Sequence, residues 1–455
     1  MRKNINKIIA FAIGISVMSG SVVPAFAADS TQQTTTSTST ATNSQIVNGK
    51  PLLTLDEAIK GAISNSETLA IDDSKIGYIN RTGDLNDDVD DAKDINDDVH
   101  DFNDDNQEIK LNQAKQQKDF DQDILEKKVV DKYNDIATKQ MNIDKIAKEL
   151  DIKKTQLANM KLKVSLGTDI STNLKSTELA VQDKQNTLTY SQNQLNDSIY
   201  SFKVLTGKDV TKYTLEDIKF ESLKIDGSID KYLDNVIDSF LKYSVQIVNL
   251  NKDYFDHDYE KDDDNKVSQD YVSSKQDNVD TAKTEVENAQ EALDKAKADP
   301  TITDTTSYQK RLDDAKTSYG KAEDNYVLAI KSRMAYLGTK QGIVVDENTI
   351  SADKKRLKDS LKGYYTDLLK QEAQIEYDKK NIEINNETLS NAKLKHDLGM
   401  MTDTDYNTIA VNNEAYDLQL RADIISYNTL KEEIQKPWLS LTKSAMQSQQ
   451  QHLEG

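Results

Sequence analysis

Between Leu52 and Lys436 the chain contains one proline, Pro300. Proline removes a backbone donor and clashes with the turn before it. A stretch this long with one such breaker, rich in Lys, Glu, Asp, Gln, Leu and Ile, therefore reads as long helices. Only 36% of the chain is apolar and 6% aromatic, while 30% is charged, so no thick core can form. Helices that each bury one narrow seam can still be satisfied by so few apolar side chains. The expected fold class is all-α.

One segment occurs twice. Leu157–Gly167, L-A-N-M-K-L-K-V-S-L-G, returns as Leu389–Gly399, L-S-N-A-K-L-K-H-D-L-G, at an offset of 232 residues. In both places a long segment free of proline runs into the glycine and another leaves it. Each reads as a hairpin of two helices turning at Gly167 and Gly399, so the chain reads as two tandem helical hairpin repeats.

Residues 1–27 combine Arg2, Lys3 and Lys7 with an apolar run from Ile8 to Met18 and the small-x-small site Ala25-Phe26-Ala27, the pattern of a cleaved signal peptide. Residues 28–50 are Ser/Thr-rich and read as a disordered linker. The first repeat is expected over 51–228. It opens with Thr54 as N-cap and Glu57 three residues on, followed by Leu55, Ala58, Ile59, Ala62, Ile63 and Leu69 at helical spacing. That helix is expected to stop at the turn residues Asn80–Asp84. From 84 to 105 come eleven aspartates and one lysine. Leu85, Val89, Ala92, Val99 and Phe102 mark one face of an acidic amphipathic helix; disorder and a cation site are the alternatives. A helix continuing from Leu85 to Leu166 would be roughly 120 Å long. After the turn, Leu174, Val181, Leu188, Leu195 and Phe202 recur every seven residues, and Gly207 closes the element.

The second repeat is expected over 229–441, where Leu233, Val236, Ile237 and Ile247 echo Leu55, Ala58, Ile59 and Leu69. An inserted helical hairpin, about 263–345, is expected as Lys266–Ala298 and Tyr308–Tyr336 around Asp299-Pro300-Thr301, ending in a loop at Gly338 and Gly342. A long helix should then run from Asp353 to Gly399 and return as Thr404–Ile434. Residues 442–455 read as a polar tail.

A signal peptide, the opening Leu55-x-x-Ala58-Ile59-x-x-Ala62, a Leu-Gly turn followed by an amphipathic helix, closure at Leu205-Thr206-Gly207 and then a second copy together resemble the TolC outer-membrane efflux family, over roughly 52–440. The resemblance implies a trimer forming a hollow helical barrel. It also implies that Leu166, Gly167, Thr168, Leu398, Gly399 and Met400 form the turns where an adaptor or pump protein docks. Of the two aspartates that narrow the family's channel entrance, the first position is Asp405 here and the second is Thr408. The family's two membrane strands per repeat have no counterpart. Their positions hold Asn80–Asp105 and the charged inserted hairpin, and an Asp-rich surface cannot face lipid.

A net charge of −20 disfavours nucleic acid and anionic lipid as partners. No cysteine is present, so disulfides, thiol chemistry and thiolate metal sites are excluded. His100, His257, His396 and His452 lie at no metal-binding spacing, and no phosphate cradle or nucleophile elbow occurs. Tyr133, Tyr190, Tyr200, Tyr243, Tyr365 and Tyr427 read as seam packing. No enzyme activity, no cofactor and no metal are expected, nor a membrane-spanning segment in the mature chain. The reading is an exported protein of the cell envelope or cell surface, forming a homo-oligomeric conduit or docking tube. A structural or interaction coiled coil without transport is the alternative.

Overall fold

The computed structural model describes residues 46–47, 49–260 and 267–440. The signal peptide, the linker up to residue 45, Asp262–Asp264 and the tail 442–455 lie outside the described residues. Among the described residues the chain is all-α apart from three short strands, and no barrel closes. Strands β1 (Ile46–Val47) and β2 (Lys50–Leu53) pair antiparallel, and β2 pairs parallel with β3 (Thr214–Leu215). The end of the Ser/Thr-rich stretch is thus ordered backbone, and the connector 207–228 is stitched back onto the start of the first repeat.

The helices are α1 (Leu55–Ser64), α2 (Glu67–Lys93), α3 (Asp97–Ser165), α4 (Ser171–Thr206), α5 (Ile229–Phe240), α6 (Lys242–Asp253), α7 (Gln269–Ala298), α8 (Thr306–Asp397) and α9 (Asp403–Gln435). A single wide turn of π-helix, Tyr254–Tyr259, extends α6. Thr54 caps α1 as expected, its hydroxyl accepting from the Glu57 N–H at 3.2 Å. Gly207 takes a left-handed φ of 68° and ends α4.

Three boundaries differ from expectation. First, no break occurs at Asn80–Asp84: α2 runs through Gly83 to Lys93, and the chain reverses at Asp94-Ile95-Asn96. The acidic stretch is therefore helical but split between two antiparallel helices, as shown by Asn103 Nδ2 donating to Asp90 Oδ2 at 2.8 Å. Gly83 sits inside α2 opposite the Gln107 side chain, and an interior glycine weakens a helix without ending it. Second, α8 continues through Gly338 and Gly342 without a loop, since extending a formed helix is cheaper than nucleating a new one. Third, the opening helix of each repeat is broken, at Asn65-Ser66 in the first and at Leu241 in the second.

Contacts divide the chain into two compact units. Of the described residues, one gathers Arg81–Lys110 with Leu241–Lys354, and the other holds those up to Asn80, Leu111–Phe240 and 355–440. The second unit contains both hairpins and makes the duplication physical. Val129, Ile136 and Ile143 are buried at heptad spacing on α3, and Leu361, Leu368 and Ile375 are buried on α8 at the same offset of 232 that relates the Leu-Gly turns. Leu188, Leu195 and Phe202 of α4 close on the α3 seam together with Ala58 and Ala62 of α1. Gly61 lets α1 reach α4, for a Cβ there would lie 2.6 Å from the Thr206 carbonyl oxygen. At the chain's far end Trp438 stacks on Phe120 at 4.2 Å, and its indole N–H donates to Asp123.

Tyr133 and Tyr427 are buried, whereas Tyr190 and Tyr200 stand exposed on α4, so they are not seam residues within one chain. Leu85 and Val89 of the acidic face are likewise exposed rather than packed.

Two buried acid pairs sit in this unit. Asp378 of α8 accepts from Gln374 Nε2 at 2.9 Å through one oxygen, while its other oxygen is buried with no partner. Burial, then hydrogen bonding to Asp423 of α9, pushes the Asp378 carboxyl up. Against its own burial, Asp423 is held low by hydrogen bonds from Asp378, Gln419 and Gln371. Burial therefore favours the neutral form of Asp378, and the charged form belongs to Asp423 with its amide donors. Asp72, which also has an unpartnered oxygen, and Asp121, pushed up by burial and by Asp72, repeat the arrangement between α2 and α3. A carboxyl whose folded pKa is raised stabilises below that pKa, and the contribution is lost as pH rises through it. Asp378→Asn, which carries a permanent donor, is expected to gain about 1 kcal/mol above neutral pH and to flatten this part of the pH profile. Urea midpoints at acidic and alkaline pH check this; an Asn variant that loses most stability at alkaline pH would contradict it.

Candidate functional site

The two Leu-Gly turns, both in the second unit, have the same backbone. Gly167 and Gly399 adopt φ of 71° and 72°, a region that costs an L side chain strain. At the first turn the Thr168 N–H reaches Lys163 O at 2.9 Å and the Gly167 N–H reaches Val164 O at 3.0 Å. At the second, the Met400 N–H reaches Lys395 O at 2.8 Å and the Gly399 N–H reaches His396 O at 2.9 Å. These nested bonds satisfy the last carbonyls of α3 and α8 and define the same helix stop twice.

That stop normally folds a nearby apolar residue back onto its helix. Here the apolar side chains point outward instead. Leu162 and Leu166 are 58% and 68% exposed, and their repeat counterparts Leu394 and Leu398 are 60% and 65% exposed, with Met400 further out still. Six large apolar side chains, counting Ile170, thus stand exposed on two like turns. The turns differ in charge. Residues 152–168 hold Lys153, Lys154, Lys161 and Lys163 and no acid, so the first tip is basic on an acidic chain.

Asp405 lies in the first turn of α9, where the Thr402 hydroxyl accepts from its N–H at 3.1 Å and donates to its Oδ2 at 2.8 Å. Thr402 is therefore the cap of α9 and Asp405 braces it from the first turn, where an acid also meets the favourable end of the helix dipole. The Thr408 hydroxyl is turned inward on the Thr404 carbonyl.

Reasoning from the sequence missed His396. Its Nε2 lies 2.6 Å from Asp403 Oδ1 across the turn and its Nδ1 3.3 Å from Asp397 Oδ1, with the ring stacked on Tyr406 at 5.0 Å. Lys393 in turn holds Asp397 at 3.0 Å. Hydrogen bonds donated to Asp403 and then Asp397 raise the imidazole pKa. A histidine so raised stabilises the turn below its ordinary pKa, and the clasp is released as pH rises through the raised value. Val164 occupies the counterpart position in the first repeat, so only the second tip carries an imidazole. Amide exchange at Gly399 and Met400, corrected for intrinsic rates, is expected to quicken through that window. The Gly167 and Thr168 amides should not change, and His396→Gln should abolish the step; equal behaviour of the two tips would contradict the clasp. The one signal in the sequence was the substitution itself, His396 and Asp397 for Val164 and Ser165 inside an otherwise shared motif. Among the described residues no three metal-ligating side chains converge, and no helix is long and apolar enough to cross a membrane.

No protein-family model matches the sequence, and no curated protein matches it closely. Solved structures resemble it in fold. CusC, whose structures concern folding and transmembrane channel formation, aligns over 85% of this chain and 91% of that chain, with 11% identity and a TM-score of 0.48. The outer membrane protein VceC of Vibrio cholerae aligns over 84% of this chain and 96% of its own, with 9% identity and a TM-score of 0.45. The CmeC outer membrane channel of Campylobacter jejuni gives 12% identity over 75% and 67% of the two chains, with a TM-score of 0.37. Likeness at this level assigns no activity to this chain.

Proposed function

We propose that this chain is a TolC-like envelope protein, exported by its signal peptide, that assembles as a homotrimer into a helical conduit or docking tube for export. In this reading the turns Leu166-Gly167-Thr168 and Leu398-Gly399-Met400 meet an adaptor or pump protein, and Asp405 lies near the tube entrance. The observation that carries it is the pair of like turns with outward apolar side chains. Further support comes from apolar side chains on the faces turned away from the hairpin cores: Leu179, Tyr190, Tyr200 and Val204 on α4, and Leu369, Tyr377 and Ile384 on α8. Side-by-side copies would cover such stripes.

A second reading, a cell-surface interaction protein without transport, is favoured by one observation: acidic helices stand where the resemblance expects membrane strands. Negative-stain images of residues 28–455 separate the two. Ring-shaped end views with three-fold symmetry and a central hole support the tube; isolated rods at every concentration favour the alternative.

A further inference from the structure

Two unpartnered faces occur in the unit formed by Arg81–Lys110 and Leu241–Lys354, and they match each other. On α2, Leu85, Val89 and Ala92 form an i, i+4, i+7 stripe that is exposed throughout, Leu85 to 61%. Asp84, Asp88 and Asp91 run beside it at the same spacing. On α8, Val327, Met334, Leu337 and Val344 stand exposed at heptad a and d positions, Met334 to 67%, while Ile330 between them packs on the Val267, Val272 and Ala329 cluster at the edge of this face. Beside this seam lie Lys331 on one flank and Arg333 and Lys340 on the other, and no acid occurs from 325 to 345.

Each helix already uses another face within its own chain. α8 turns Ala329 onto Val267 and Val272 and Tyr336 onto Phe255, while α2 pairs with α3 through Asp90 and Asn103. Arg333 donates to the Val267 carbonyl and Lys340 pairs with Glu260, so these cations are anchored along the edge of the seam. A heptad seam needs a helix to fill it, and cationic flanks select one with acidic flanks. Self-pairing of α8 would set cations against cations, and an anionic lipid surface would be repelled by the acidic helices of the same unit. The α2 stripe has the required apolar spacing and the required charge.

We propose that the Leu85–Val89–Ala92 face of α2 in one copy of the chain docks on the Val327–Val344 seam of α8 in a second copy. The contact joins copies through the helices that stand where the resemblance expects membrane strands. It does not depend on the tube carrying cargo.

The absence of cysteine makes a direct test clean. Val89→Cys and Leu337→Cys would be introduced together and singly into residues 28–455, with Val89→Cys plus Lys310→Cys as a control away from the seam, and folding verified by circular dichroism. Under mild oxidation the double variant is expected to give disulfide-linked dimers and longer ladders on non-reducing gels. The yield should be roughly tenfold or more above either single variant, because docking holds the two thiols at high effective concentration. Three results would overturn the proposal: monomer throughout, a fast-migrating internally linked monomer, or equal dimer from Leu337→Cys alone. Cross-linking without rings in the images would leave this contact standing and the tube fallen; rings without cross-linking would do the reverse.

Discussion

Tyr133→Ala is expected to lower the stability of the chain by about 3–5 kcal/mol, the range for emptying a buried aromatic site. The ring is buried in the α3 seam against Phe202, with centroids 6.2 Å apart. Its hydroxyl donates to the Leu53 carbonyl at 2.6 Å and accepts from the Glu216 N–H at 2.5 Å, so one side chain fastens β2 and the connector to the long helix. Burial pushes the phenol up to about 12, so the donated proton is retained well above neutral pH. Tyr133→Phe keeps the volume and removes the hydroxyl, leaving the Glu216 N–H and the Leu53 carbonyl only their 3.4 Å bond to each other, for about 1 kcal/mol. Tyr365, the counterpart at the 232-residue offset, is only half-buried, and its replacement by Phe should change stability little. Urea unfolding followed by circular dichroism checks all three; equal effects at Tyr133 and Tyr365 would contradict this assignment.

Arg421→Ala should follow at about 2–4 kcal/mol. Arg421 is a buried cation on α9 whose three nitrogens fan out to Thr138 Oγ1 at 3.1 Å, Asp217 Oδ1 at 2.7 Å and Asn134 Oδ1 at 3.2 Å. It thereby joins the second repeat to α3 and to the connector. Magnitudes decide which partner matters. The Asp217 side chain is 89% exposed, so losing that ion pair returns a carboxylate to water at little cost. Asn134 is buried and would keep an orphaned oxygen in a vacated site, which is the larger penalty. Asp217→Ala is therefore expected to cost less than about 1 kcal/mol, and Arg421→Lys, unable to fork, to fall between. Denaturant midpoints test the order, and a larger loss at Asp217 than at Arg421 would reverse the account.

Heptad burial, the N-cap at Thr54, the two glycine stops and the duplication were legible because each is written locally, in spacing or in a residue with one conformational role. The misses have a common physical origin. Asn80–Asp84 looks like a turn by propensity, yet packing of α2 against α3 overrides it. Gly338 and Gly342 are tolerated inside α8 for a similar reason: interior glycine weakens a helix without ending it. Tyr365 lies at the 232-residue offset from Tyr133, but in the second repeat the connector is held by Tyr427 of α9, whose hydroxyl accepts from the Leu223 N–H at 2.8 Å. The His396 clasp depends on Asp403 across a turn, and a scan for metal or catalytic spacing does not see such a pair.

Side-by-side assembly is the claim on which the tube stands, and sedimentation equilibrium of residues 28–455 over a wide concentration range tests it most directly. A reversible shift from monomer to trimer is predicted, weakened when Tyr190 and Tyr200 on the outward face of α4 are replaced by lysine. A monomer at every concentration would contradict it.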